Sequence, residues 1–254
     1  MYAYLDNNVF CSIEDLEITI SEIVNIINQQ NVKFPYSHAH IQEADNIIDS
    51  NKGCREALIN RRLQTIQNIS HSLYFFHDIE LNQVIIKSEE PLTVLETIRE
   101  VPLAKPTMKS FVNLVSFEKK EELRQWLGID IKEINNYNSK QVVEHFNKVI
   151  SFYGLEISFL GLIEKGISTQ PNGKSFGLMH RIAAIFELLD LLGYWKDKET
   201  EKSNFARLWD SAHTYFASCC EYFISNDKQT RNKAKVVYDL FNIETVIISS
   251  DRKK

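Results

Sequence analysis

Apolar and polar positions repeat with different periods along this chain, and the change of period divides it into three stretches. Tyr2 to Leu5 form a short apolar run closed by Asp6-Asn7-Asn8, which predicts a buried strand. Ser12 reads as a helix N-cap, with Glu14 and Asp15 in the first turn behind it. Leu16, Ile18, Ile20, Ile23, Val24, Ile26 and Ile27 then give that helix a broad apolar face. Residues 32–36 (VKFPY) read as a second short strand, and a second helix follows over about 37–49. Strand, helix, strand, helix is the order expected of a parallel α/β unit.

The middle follows a different pattern. Helical spacing recurs at 58–69, 92–100, 118–127, 140–151 and 178–192, with VIIK at 84–87 as the one strand candidate. The aromatic run Tyr74-Phe75-Phe76 is expected in a core or a helix–helix contact. Pro102 and Pro106 mark a breaker between Val101 and Met108, and 166–177 reads as a loop. The end returns to α/β: a helix over about 205–219, a strand EYFIS (221–225), a helix over 228–241 and a strand TVIIS (245–249). The expected architecture is therefore α/β, a parallel sheet flanked by helices and built from residues 1–50 and 203–254. A large, mostly helical insertion spans 51–202.

Composition sharpens this picture. Eight glycines and five prolines in 254 residues speak against a Gly-rich sandwich or barrel and for a helix-heavy chain. A hydrophobic fraction of 44% excludes disorder as the main state. Net charge −5 excludes a polycationic surface, so any nucleic-acid contact has to come from a local basic patch. Cys11, Cys54, Cys219 and Cys220 form no CxxC pair and are expected as free thiols in a reducing compartment. The opening Met-Tyr-Ala-Tyr-Leu-Asp has no basic leader, and no long apolar segment follows. The chain is therefore expected in the cytoplasm, with no membrane partner.

Ligands of a parallel sheet gather outside the carboxyl ends of its strands. Asp6 directly follows the first strand, and Asp227 directly follows EYFIS. If those strands are neighbours, the two carboxylates converge, and a hard divalent cation is the usual means of holding them together. The competing reading has each acid simply capping the helix behind it. Asp210 lies off the apolar stripe of its helix, in a row with Ala206, His213 and Ala217, where small neighbours suit a cleft. His213 reads equally as a partner of that acid, a substrate contact or a surface histidine. In the helix at 37–49, Glu43 and Asp45 flank the apolar arc symmetrically, so periodicity leaves both open.

LDNNVF at 5–10, an acid in the second helix and WDSAHTYFASCCEYFISND at 209–227 together resemble the PIN-domain pattern. The resemblance covers about 1–50 and 203–250. It implies a parallel α/β metal-dependent ribonuclease in which Asp6, Glu43, Asp210 and Asp227 are both the catalytic residues and the ligands of Mg²⁺ or Mn²⁺. It also selects Glu43 over Asp45, and it sets Asn8 beside the first acid. A toxin–antitoxin or defence setting follows from it, with an antitoxin, another protein or further copies of the chain as partners.

Carboxylates alone repel RNA, so cations or helix N-termini are needed nearby. Lys228, Arg231 and Lys235 share one helix face starting beside Asp227, Asn226 is a further phosphate donor, and Arg55, Arg61 and Arg62 offer a second basic group. NGKS at 172–175 fails as a phosphate loop because Gly166 stands seven residues before Gly173, where the motif needs five. The expected activity is hydrolysis of phosphodiester bonds in single-stranded RNA. The competing reading is a non-catalytic protein-interaction module that uses the helical insertion on an α/β scaffold, and a small-molecule phosphohydrolase is a third.

Overall fold

The computed structural model describes residues 1–49, 52–100, 116–171, 173–197 and 201–251. Its contacts divide the chain into two compact units, Met1–Ala104 with Phe216–Lys228 and Glu244–Lys254, and Lys105–Tyr215 with Gln229–Ile243. Residues 52–100, expected in the insertion, thus share the first unit with the α/β elements, and most of the helix at 228–241 falls in the second. The breaker expected at Val101 to Met108 lies outside the described residues.

In the first unit, β1 (Ala3–Leu5) runs straight into α1 (Asn7–Glu14), with Asp6 as its N-cap. The single helix expected behind Ser12 is thereby corrected to two. Leu16 takes a left-handed φ of 59°, and α2 (Ile20–Ile27) restarts behind the capping box of Thr19 and Glu22. The reason is local: the Asp6 carboxylate accepts the first helical N–H and starts the helix six residues before Ser12. The strand expected at 32–36 is reduced to a single bridge, Tyr2 to Lys33, followed by β2 (Tyr36–Ser37). Ser37 caps α3 (His38–Asp45).

α4 (Lys52–Ser70), β3 (Leu73–Asp78), β4 (Gln83–Ser88) and α5 (Pro91–Arg99) follow. Tyr74-Phe75-Phe76 belongs to β3, not to a helix contact. It pairs parallel with β2 and antiparallel with β4, which confirms VIIK as a strand. The C-terminal elements add β5 (Tyr222–Ile224) and β6 (Val246–Ile248). β1, β5 and β6 make a three-stranded parallel sheet with β5 in the centre and Leu5 opposite Ile224. Leu5, Val9, Phe10, Ile23, Ile41, Ile59, Ile66 and Ile224 bury the core of this unit. The α/β class and the parallel sheet built from both ends of the sequence are therefore as expected.

The second unit holds α6 (Phe117–Trp126), α7 (Ile131–Ile134), α8 (Ser139–Phe152), α9 (Phe159–Ser168) and α10 (Leu178–Leu191). It also takes most of α11 (Glu201–Ala217) and α12 (Lys228–Phe241). α9 runs into the expected 166–177 loop, because Ile163 and Ile167 continue its buried face. Phe146 stacks on Phe159 at 5.6 Å between centroids. Asp190, Asp197, Arg207 and Lys233 form a buried ionic network, with Arg207 3.0 Å from Asp190 and 3.1 Å from Asp197. Among the described residues, no helix is long and apolar enough to cross a membrane.

Candidate functional site

Adjacent strands β1 and β5 end together, since the Asp6 amide donates to the Ile224 carbonyl at 2.8 Å. Each strand then turns directly into a helix, and the two turns interlock. Asp6 is 2% exposed, and its Oδ1 accepts from the Asn7 amide at 2.7 Å. Its Oδ2 accepts from Asn8 Nδ2 at 2.6 Å and from the Ser225 hydroxyl at 2.5 Å. Ser225 is the hub: its oxygen also accepts from the Asp227 amide at 3.2 Å and from Asn8 Nδ2 at 3.3 Å. Asn8 Oδ1 accepts from the Asn226 amide at 2.9 Å, closing the ring of contacts.

Asp6, Asn8, Asn226 and Asp227 are thus gathered at one sheet edge. Asp6 is also the cap of α1, so the competing reading of that residue is realised in the same geometry. Asn226 turns its side-chain oxygen toward the chain after β6, accepting from the Ser250 amide at 2.9 Å and the Asp251 amide at 3.1 Å. It therefore braces the third strand against the other two. Lys228 follows, exposed, at the start of α12.

Glu43 and Asp45 are distinguished by their partners. Asp45 is buried against two guanidinium groups, 2.8 Å from Arg99 and 3.6 Å from Arg55, which gives it a structural role between α3, α4 and α5. Glu43 is half-buried on the same helix, and its charge reaches both Tyr4 and Cys11. Burial drives the Tyr4 phenol well above its ordinary value against the opposing bond from Ser37, and the charges of Asp6 and Glu43 push the same way. Burial likewise raises the Cys11 thiol, against Arg62 beside it. Both shifts favour the protonated form of each group at neutral pH.

His40 is completely buried at this edge. Its Nδ1 accepts from the Ser37 amide at 3.0 Å, which leaves Nε2 to donate to the Leu5 carbonyl at 2.7 Å. One neutral ring thereby ties the helix of Glu43 to the strand end that carries Asp6. The Arg55, Arg61 and Arg62 group is corrected from a basic patch to a set of braces. Arg62 is 7% exposed and bonded to Asn7, Cys11 and Glu14, and Arg61 donates to the Glu14 carbonyl.

Asp210, His213 and Arg231 belong to the second unit. Asp210 is half-buried, and its carbonyl accepts from the Thr214 hydroxyl at 2.8 Å. His213 is fully buried, which removes the surface-histidine reading. Arg231 is half-buried and engaged.

Among the described residues, no three His, Cys, Asp or Glu side chains form a group placed to hold a metal ion. The donors that do gather at the sheet edge are all oxygens and amides, with no thiolate and no free imidazole nitrogen. That chemistry suits a hard cation such as Mg²⁺ or Mn²⁺ and not a soft one. Compared with known proteins, the chain matches no family model, no curated protein and no solved structure.

Proposed function

We propose that this chain is a PIN-like, divalent-metal-dependent endoribonuclease acting on single-stranded RNA. The observation that carries this reading is the cluster of Asp6, Asn8, Ser225, Asn226 and Asp227, hydrogen-bonded at the carboxyl edge of a parallel sheet. Asp6, Glu43 and Asp227 are the acids of the first unit that would hold Mg²⁺ or Mn²⁺, and the sequence resemblance adds Asp210. When bound, such an ion supplies an acidified water and offsets charge on the phosphoryl group.

The chain's own residues prepare the edge for that role. Ser225 and Asn8 fix the Asp6 carboxylate in one orientation, and His40 holds the strand end in register with the helix of Glu43. The N-termini of α1 and α12 put partial positive charge beside the acids, which favours a phosphate. Lys228 is the exposed cation of this edge and would contact the RNA backbone. The setting in this reading is cytoplasmic and toxin- or defence-related, with an antitoxin, another protein or a second copy as partner.

The N-cap role of Asp6 favours a second reading, a scaffold without catalysis. Asp6→Asn separates the two, because asparagine caps a helix as well as aspartate does but is a poor cation ligand. Labelled single-stranded RNA is incubated with wild type, Asp6→Asn and Asp210→Asn, in Mn²⁺ or in EDTA. The expected result is cleavage by wild type in Mn²⁺ alone, abolished in Asp6→Asn although that variant still melts cooperatively above the assay temperature. Equal cleavage by wild type and Asp6→Asn overturns the nuclease reading. Cleavage that falls steeply with salt marks a polyanionic substrate, and a small phosphate ester would show no such slope.

A further inference from the structure

The second unit carries an ordered aromatic ledge outside every residue assigned above. α6 ends at Trp126, and α8 ends at Phe152, with Tyr153 as its C-cap. The Trp126 and Tyr153 rings lie 4.3 Å apart between centroids at 30°, and Phe152 meets Tyr153 edge-on at 5.3 Å. The Tyr153 hydroxyl donates to the Trp126 carbonyl at 2.6 Å, so the two helix ends are tied together. Trp126 is nevertheless 63% exposed and Phe152 83% exposed.

Exposing this much aromatic surface is unfavourable unless something covers it. Rings already held in place also lose little conformational freedom when covered. The surroundings indicate what the cover is. Lys119 lies two turns before Trp126 on the same face of α6, and Lys148 lies one turn before Phe152 on α8. Both are exposed, and neither forms an ion pair with any described residue.

Charge on the scale of the unit agrees. The second unit holds 18 lysines and arginines against 15 aspartates and glutamates, whereas the first holds 11 against 19. Exposed Glu122 stands one turn before Trp126 on the same face, but flat rings with two ammonium groups near them, neither ion-paired among the described residues, match bases strung on phosphates. We infer that Trp126, Phe152 and Tyr153 form a stacking platform for unpaired nucleobases, with Lys119 and Lys148 contacting the adjoining phosphates. The assignment rests on the nucleic-acid substrate of the proposed function, but not on the carboxylate edge.

The test is binding of fluorescein-labelled oligouridine 12-mers to the full-length chain in EDTA, followed by anisotropy at two salt concentrations. Trp126→Ala and Phe152→Ala should each weaken binding at least about five-fold, and Trp126→Phe should retain most of it. An abasic ribose-phosphate 12-mer should bind wild type and Trp126→Ala alike. Lys119→Ala and Lys148→Ala should each lower the salt slope by about one. Affinity unchanged in Trp126→Ala and Phe152→Ala overturns the platform, as does a wild type that does not bind. A changed sedimentation coefficient in those variants, with RNA affinity intact, overturns it in favour of a contact between copies. RNA that binds through the ledge but is not cut in Mn²⁺ upholds the platform and removes the nuclease, and cutting with intact affinity in Trp126→Ala does the reverse.

Discussion

Single side chains differ sharply in how far their roles can be read before folding. Asp6 and Asp227 are legible because a strand-then-acid pattern is local and needs no partner. Ser225 is not legible: a serine at a strand end becomes a hub only when Asp6 arrives from 219 residues away. Glu43 and Asp45 were symmetric by helical phase, and only the guanidinium groups of Arg55 and Arg99 separate them. The Asp190 network was likewise invisible, because its members sit on four separate segments. Burial alone would raise the Asp190 carboxyl, but Arg207, Lys233 and Lys120 hold it below its ordinary value. A depressed folded pKa means stabilisation that is complete above the unfolded value near 3.9 and is lost as pH falls through the folded one. Asp190→Asn should therefore be less stable than wild type at pH 7, by about 3 kcal/mol, since it leaves buried cations short of a partner. Urea midpoints should show that gap closing below about pH 4, and a gap constant down to pH 2.5 would contradict the network.

Elements were recovered where a period of 3.6 is sustained and lost where it is short. α12 spans the residues its spacing predicts, and α10 matches within one residue. α7 has four residues, too few to carry a period, and β3 reads LYFFHD, in which four apolar residues stand in a row before His77 and Asp78 and do not alternate. α1 escaped notice because Asn7 and Asn8 are poor helix formers, and its start depends on the Asp6 cap. The end of α10 shows how narrowly a terminus is specified. Gly193 has φ of 91°, and a Cβ there would stand 3.0 Å from Ile131 Cγ1 and 3.3 Å from Arg124 Nε. Gly193→Ala should cost about 1–2 kcal/mol through the backbone alone, with the crowding added. The chemical-denaturation midpoint measures it, and a variant as stable as wild type would mean that this turn relaxes freely.

At the scale of the whole molecule, the two compact units are interleaved along the chain, which passes between them four times. Neither unit is a continuous piece of sequence, so neither can be excised by one cut. A fragment of residues 1–104 lacks β5 and with it the ladder partner of β1, as well as Ile224 of the core. It should show helical circular dichroism without a cooperative melt. A sharp transition would mean that the sheet of β2, β3 and β4 suffices to organise the half. Pairing β1 with β5 also sets a clock on biosynthesis. At usual translation rates Ser225, 219 positions after Asp6, is added roughly 10–45 s later. Throughout that interval β1 waits with an open edge, and the Asp6 carboxylate at its end has no second strand to meet. A nascent chain therefore carries Asp6 long before it carries the edge that holds it, because Ser225 and the Asn226 and Asp227 amides that interlock with Asp6 and Asn8 are made last.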